Sequence, residues 1–329
     1  MTGAQRQTDA QRHEISMSVI IPCHNSARTL GLQLEALATQ VTPPPFEVIV
    51  VDNRSTDSPG AVLEQHRDAL LSGGASDVRI VRAEKESGVS YARNAGAADA
   101  RTERLVFCDA DDCVSARWLS DAETLFALAP VFSGSALPTP ECAFAQGLSQ
   151  LRADLDGDGA SAPRLEEQEP LAIPILMGGD FGITKDLYLA LGGFDQSLPR
   201  AGEDNDLAFR ARAAGYEPHD SRGMRIAYRQ RPPGTAGRAT ARRAARAHVL
   251  LCVRYKVLSG SAYIGRFRLL AATAMLGASA VRMAVDPSHR DIPGLRNRAA
   301  GIRGFWEGLL LYAVLRRVPP PRLGAGLRR

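Results

Sequence analysis

Leu105-Val106-Phe107-Cys108-Asp109-Ala110-Asp111-Asp112 is the stretch on which the reading of this chain turns. An apolar run of strand length ends in three carboxylates within four positions. Such a run reads as a buried strand, and in an open α/β sheet ligands bind just beyond the carboxyl ends of the strands. Carboxylates crowded there repel one another unless a cation lies between them, and their oxygens suit hard ions such as Mg2+ or Mn2+. An Asp-rich turn capping a helix that begins near Ser115 accounts for the same residues without any ligand.

The segments before it alternate between strand and helix. Met17–Pro22 and Phe46–Val51 are apolar runs, the second ending at Asp52-Asn53, and Val78–Val81 is a third. Asn25 or Ser26 can cap a helix reaching about Gln40. Asp57 can cap the next helix, with Pro59 in its first turn and Gly73-Gly74 at its end. Ser90 to about Ala100 is a further helix. Short alternation of this kind implies right-handed crossovers and a mostly parallel sheet flanked by helices.

Residues 1–16 are polar and read as a disordered tail with no secretory signal. Residues 17–130 form one half of the core, and 131–170, rich in Pro, Gly and acids, read as an irregular connection. Within it Asp154-Leu-Asp-Gly-Asp-Gly159 imitates a calcium loop, but Leu165 stands where a bidentate Glu is needed, which excludes calcium there. Residues 171–234 form a second half: order resumes at Ile173–Met177, Thr184–Leu191 is a short helix stopped by Gly192-Gly193, and Glu203-Asp204-Asn205-Asp206 opens another helix. Acids at a helix start are stabilised by its dipole, so capping explains one or two of the three.

Residues 235–329 read as a basic helical extension. Residues 221–329 hold 22 Lys/Arg against 3 Asp/Glu, so the net charge of +4 conceals a strong asymmetry. That surplus points to an anionic partner, either a membrane surface or nucleic acid. Leu269–Val281 is the longest uncharged stretch there, short of the roughly 17–25 residues that span a bilayer. Basic, aromatic-flanked segments of this length fit an interfacial position or a helical cap. Apolar residues at 45% and charged ones at 23% are ordinary for a globular protein, and five cysteines without a C-x-x-C pair favour reduced thiols in a cytoplasmic setting.

Six stretches in order carry a resemblance: Ser18–Asn25, Val50–Asp57, Gly88–Gly96, Asp109–Asp112, Gly192-Gly-Phe-Asp195 and Gly202–Leu207. Together they resemble the inverting family 2 glycosyltransferases of the GT-A fold. The resemblance implies an α/β core binding a nucleotide-diphosphate sugar, with a divalent metal (Mg2+ or Mn2+). It implies that Pro22, Asn25 and Asp52 lie beside the nucleoside, and that Arg93 and Asn94 face the diphosphate. Asp109 then contacts the ribose side of the metal site and Asp111 ligates the ion. Gly179, Asp180 and Glu203 fall on the acceptor side, and Asp204 is the general base.

The chemistry agrees with two acidic clusters about ninety residues apart. A divalent ion offsets charge on a diphosphate leaving group, and a carboxylate on the opposite side takes the acceptor's proton. The family's late histidine is absent from Arg225–Arg231, so either the metal shell is thinner than the family's or an arginine shares the charge neutralisation. No Q-x-x-R-W motif is present, so addition of a single sugar is expected, to a glycan or lipid-linked acceptor of the cell envelope, with peripheral association on an anionic membrane and no nucleic acid. The alternatives are a relative that has lost catalysis and serves as an interaction module, and a nucleic-acid-binding protein using the arginine-rich third.

Overall fold

A computed structural model describes residues 15–157, 162–168, 173–198, 201–230, 234–265, 267–286, 288 and 290–327. The expected N-terminal tail lies almost wholly outside them. The core follows the alternation of the sequence: β1 (Met17–Cys23), α1 (Ala27–Ala38), β2 (Phe46–Asp52), α2 (Pro59–Ser72), β3 (Ala75–Arg82), α3 (Val89–Asp99) and β4 (Arg104–Cys108). β3, β2, β1 and β4 are parallel neighbours. Their side chains alternate between two buried faces. Val19, Ile21, Val48, Val50 and Val106 join one core cluster, while Ile20, Ile49, Val51, Leu105 and Phe107 join the other. Burial on both faces is why these strands read as continuous apolar runs rather than as alternating ones.

Beyond β4 the sheet is no longer all parallel. β5 (Cys113–Val114) leads to α4 (Trp118–Phe126), β6 (Val131–Pro140), α5 (Glu141–Phe144), α6 (Leu148–Leu155), β7 (Asp180–Thr184), α7 (Lys185–Ala190), α8 (Glu203–Ala213) and β8 (His219–Gln230). β7 pairs antiparallel with both β4 and β6, β6 pairs parallel with β8, and β8 pairs antiparallel with β5. The sheet is thus mixed, parallel in its first half. The irregular connection expected over 131–170 is corrected: a ten-residue strand and two helices occupy its first part. Residues 173–177, where order was expected to resume, are a bend and irregular chain outside the sheet.

One cap differs from expectation, while α1 has Ser26 at its N-cap as expected, without a side-chain cap hydrogen bond. Ser58, not Asp57, is the N-cap residue of α2. Asp57 instead reaches across, and its Oδ2 accepts from the backbone N–H of Ala27 at 2.8 Å, the first residue of α1. Asn25 at φ 54° turns the chain into α1, and its Oδ1 accepts from Thr56 N at 2.7 Å.

The basic extension packs as α9 (Thr235–Arg254), α10 (Arg268–Val285), α11 (Ile292–Gly308) and a wider helical turn over Leu309–Val314. Val249, Leu250, Leu251 and Tyr312 form a third core with Phe209 of α8. α11 lies along α9, with Arg242 paired to Glu307 at 2.6 Å. From Pro319 the chain returns over the core as a strap. Arg322 N donates to Asp195 Oδ1 at 2.8 Å, Gly324 N donates to Gly192 O at 2.8 Å, and Asn94 Nδ2 donates to Ala325 O at 2.7 Å. The Arg322 guanidinium meets Glu86 at 2.9 Å. α10 touches this packing along one edge, where Leu269 is buried and Trp306 Nε1 of α11 donates to Thr273 Oγ1 at 3.1 Å, and leaves most of its surface exposed.

Candidate active site

The carboxyl ends of β1, β2 and β4 and the start of α3 converge on one edge of the sheet. Pro22, His24, Asn53, Gly88 and Ala92 line a cavity of about 290 Å³ there. Asn53 holds this corner together. Its Nδ2 donates to Ala83 O and Glu86 O, and its Oδ1 accepts from Gly88 N at 2.8 Å, so the amide fixes the 83–88 loop beside the first turn of α3. A helix N-terminus with free N–H groups facing a cavity suits a phosphate. Asn25 and Asp52 are not among the lining residues. Asp52 Oδ1 accepts from Ser55 N at 3.0 Å, and the two side chains shape the neighbouring loops.

Beside this cavity, oxygen atoms of Asp109, Asp111 and Asp112 lie within 4.8 Å of one another. Asp112 is 2% exposed, and its Oδ1 accepts from the backbone N–H of Arg229 at 2.9 Å. Burial, and then the charge on Asp109, push its carboxyl up to about 8. Three convergent oxygen donors, one held protonated by its neighbours, form a set that fits a hard divalent cation. Arg229 lies on β8 where the expected histidine is missing. Its Nε donates to Asp111 O at 2.7 Å, and its guanidinium stacks 3.7 Å from the Phe144 ring centroid and pairs with Glu141 at 3.0 Å. It fixes the acidic turn from behind through the backbone, a signal the sequence showed only as a run of arginines.

The raised carboxyls set a pH dependence. Asp112 has a folded pKa above its unfolded value, so its contribution to stability is complete below about 4 and is lost as pH rises through about 8. Buried Asp180, also raised by burial, acts in the same direction. In EDTA the melting temperature is expected to fall between pH 5 and 8.5, and Mn2+ affinity to rise over the same range as the cation displaces the proton. Calorimetric titration with Mn2+ at several pH values checks this; affinity independent of pH would remove Asp112 from the site.

Gly178 and Gly179 thread between the two acidic clusters. A Cβ on Gly179 would lie 2.8 Å from Asp109 Oδ2, and one on Gly178 would lie 3.0 Å from Arg93 Nη1 and 3.2 Å from Asp204 Oδ2. On the far side, Asp204 stands in the first turn of α8, its Oδ2 accepting from Gly178 N at 3.2 Å and its Oδ1 from Asn205 N at 2.8 Å. Burial pushes the Asp204 carboxyl up, against those backbone N–H groups and the charge of Arg93. Its neighbour Glu203 is pushed to about 7 by burial and then by the charge of Asp204, and Glu203 Oε2 is buried without a hydrogen-bond partner.

Arg93, 3% exposed, joins the clusters. Its Nη2 donates to Asp109 Oδ1 at 2.8 Å, and its Nη1 lies 3.8 Å from Glu203 Oε1. Burial disfavours its charge, but Asp109, Glu203 and Asp204 together hold it protonated. The structure therefore brings Arg93, Asp109, Asp111, Gly179, Glu203 and Asp204 into one neighbourhood, together with Asp112.

Two expected positions are corrected. Asn94 is fully buried: Tyr188 Oη donates to its Oδ1 at 2.5 Å, as does Phe194 N at 2.8 Å, and its Nδ2 donates to Phe194 O and Ala325 O. Neither end of that amide is left for a diphosphate. Asp180 is also fully buried, accepting from Trp118 Nε1 at 2.7 Å beneath the site rather than on an acceptor face.

Residues 18–128 match the family model described as glycosyl transferase family 2. N-acetylgalactosaminyltransferase 6 of Drosophila melanogaster is 27% identical over 241 residues, 66% of this chain and 34% of its own length. Poly(ribitol-phosphate) beta-N-acetylglucosaminyltransferase TarS of Staphylococcus aureus is 34% identical over 110 residues, 33% of this chain and 18% of its own. The chain thus spans about a third or less of these two relatives. Among solved structures, a mannosyltransferase of Pyrobaculum calidifontis in complex with GDP-Man and Mn2+ superposes with a TM-score of 0.60 at 19% identity, covering 93% of this chain and 92% of that one. GalNAc-T7 with UDP, GalNAc and Mn2+ gives 0.54 at 17% identity, covering 94% and 59%. The strand-end acidic cluster, the cavity beside it and these matches agree: residues 18–128 resemble the family 2 glycosyltransferases, and the chain has a GT-A type fold.

Proposed function

We propose that the protein moves one sugar at a time from a nucleoside-diphosphate donor to an acceptor hydroxyl, with inversion at the anomeric carbon. The observation that supports this best is the pair of acidic clusters held on either side of Gly178-Gly179 and bridged by Arg93. The cavity at Pro22, Asn53 and Gly88 takes the nucleoside, and the N-terminus of α3 faces its phosphates. Asp109, Asp111 and Asp112 would hold Mg2+ or Mn2+, which when bound offsets the charge gathering on the leaving diphosphate. Asp204, raised by burial, accepts the acceptor's proton and needs no covalent intermediate. Gly178 N and Asn205 N orient its carboxylate. Arg93 keeps Asp109 and Glu203 from repelling one another when the metal is away. Proton NMR of the first-formed product with a panel of UDP- and GDP-sugars decides the stereochemistry; a product that keeps the donor's anomeric configuration would overturn the single-displacement reading.

The acceptor is a glycan or lipid-linked molecule of the cell envelope in this reading, and the protein works peripherally on the cytoplasmic face of the membrane. The anionic cytoplasmic leaflet attracts Lys and Arg at about 1 kcal/mol each near its surface. α10 is 6% buried with a mean hydropathy of 1.3 over its 18 residues, the one helix among the described residues long and apolar enough to cross a bilayer. Arg268 and Arg282 sit within it, which favours a position along the interface. Met275 and Val281 are each 64% exposed, so replacing both by Asp spares the core. That double variant is expected to lose flotation with anionic vesicles, and wild-type protein to release at high salt. Full-length protein that fails to float would end the membrane assignment.

A further inference from the structure

A second, larger cavity of about 700 Å³ opens between α8 and the helical extension, with Asp204 in its wall. Apart from Asp204 and Asn205, its α8 side is apolar, with Ile173 and Ile175. The extension supplies Leu251, Tyr263 and Phe305. Small residues on α9 and Gly301 of α11 leave the space between those helices open. The Tyr263 and Phe305 rings stack at 5.6 Å between centroids, and His248 stands edge-on to both. His248 Nε2 is engaged by Ser261 Oγ at 2.8 Å, and burial lowers its pKa to about 4, so it adds no charge at neutral pH. Such a wall offers little to a sugar's hydroxyls and much to an alkyl chain.

The mouth has a different character. Arg268 lines it and is also the first residue of α10. Around it Tyr263 is 60% exposed, Phe267 78% and Leu270 54%, so the cavity opens onto the unburied apolar face of that helix. The surplus of 22 Lys/Arg over 3 Asp/Glu in residues 221–329 lies on the same part of the chain. One end of the cavity therefore meets the carboxylate that takes the acceptor's proton, and the other meets a basic, apolar surface.

We propose that this cavity holds the alkyl segment of a lipid-borne acceptor, entering past Arg268 and presenting its hydroxyl to Asp204. This rests on Asp204 as the base, and it adds the chemical class of acceptor and the residues that select it. Specificity then comes from the extension, whereas the family 2-like region supplies the donor chemistry. An acceptor without an apolar segment leaves the cavity filled by water and gains nothing from it.

The experiment uses full-length protein with β-D-glucosides as probes, below their micelle concentrations. Binding of methyl, butyl, hexyl and octyl glucoside is measured by calorimetry. Affinity is expected to rise roughly tenfold for every two methylenes buried. Gly301→Phe fills the cavity from a position where an added Cβ meets nothing within 4 Å, so it is compatible with folding; octyl glucoside affinity should fall at least about tenfold, the loss of two methylenes' worth of contact. Ala241→Phe fills it from α9 and should do the same. Nucleoside-diphosphate binding in Mn2+ should be unchanged in both variants. Affinity flat with chain length, phenyl glucoside bound as tightly as octyl, or filling variants that bind octyl glucoside normally would each overturn the proposal. Asp204→Asn separates the two readings, because octyl glucoside should still bind when turnover is lost. If Asp204→Asn remains active while chain-length dependence holds, the base assignment fails and the cavity stands.

Discussion

Asp204→Asn is expected to lower turnover by roughly 10²–10⁴-fold while leaving donor binding intact, the range a positioned general base contributes. The substitution keeps size and shape. Gly178 N and Asn205 N now bond to different carboxylate oxygens, so the single amide oxygen keeps one of these bonds and the amide NH2 replaces the acceptor of the other. Gly202 is the N-cap of α8, so the substitution gives up a first-turn charge interaction with the helix dipole of about 0.3–1 kcal/mol rather than a cap. Relief of the buried charge offsets the lost backbone hydrogen bond, so the variant should still fold. Steady-state rates with a saturating donor, beside calorimetric donor affinity, check the result. Turnover within a few-fold of wild type would remove Asp204 from the chemistry, and Glu203→Gln would then be the informative variant, given that Glu203 is pushed to about 7 and keeps an unpartnered buried oxygen.

Asp111→Ala is expected to abolish the Mn2+-dependent part of nucleoside-diphosphate affinity. Asp111 and Asp109 are the more accessible members of the cluster, and Asp112 is buried behind them. Removing one of three carboxylates also lessens the repulsion that the metal-free protein carries, so the variant should melt no lower than wild type in EDTA. Two readouts moving in opposite directions distinguish a ligand from a structural acid. Undiminished affinity in Mn2+ on a folded variant would sink the assignment.

Strand ends and short crossovers made the parallel half of the fold legible, because both faces of β1, β2 and β4 are buried and leave uninterrupted apolar runs. β6 was hidden. Its Gly134 is needed because the Asp180 carboxyl occupies the place of a side chain, with Oδ2 2.1 Å from where a Cβ would stand. Its Pro138 and Pro140 lie past the residues paired to β7 and keep β8 alone as a strand neighbour, an edge-like position in which a strand tolerates proline. Turn residues inside a strand therefore read as a loop.

At the site, chain geometry limits what a motif can assign. Arg93 and Asn94 are consecutive on a helix and point about 100° apart, so one can face the acids while the other is buried against the strap. Gly179 and Asp180 enter a strand, where successive positions face opposite sides. Asp112 and Arg229 meet only through the pairing of β5 with β8, a contact between residues 117 apart that no local pattern announces. The large cavity was equally invisible, since its walls come from four separated segments, each ordinary by itself.

The strap gives the protein a direction in time. Arg322 pairs with Glu86 from 236 residues later in the chain, and Ala325 completes the hydrogen bonds of Asn94. Every residue of the acidic site leaves the ribosome long before those partners exist. A nascent chain that has reached α9 holds the acids and the glycines, yet its 83–88 loop and the turn at Gly192–Asp195 lack their outer clasp. Nucleotide affinity should therefore mature late in synthesis, and a chain stopped after residue 318 should bind donor more weakly although no donor-side residue is missing.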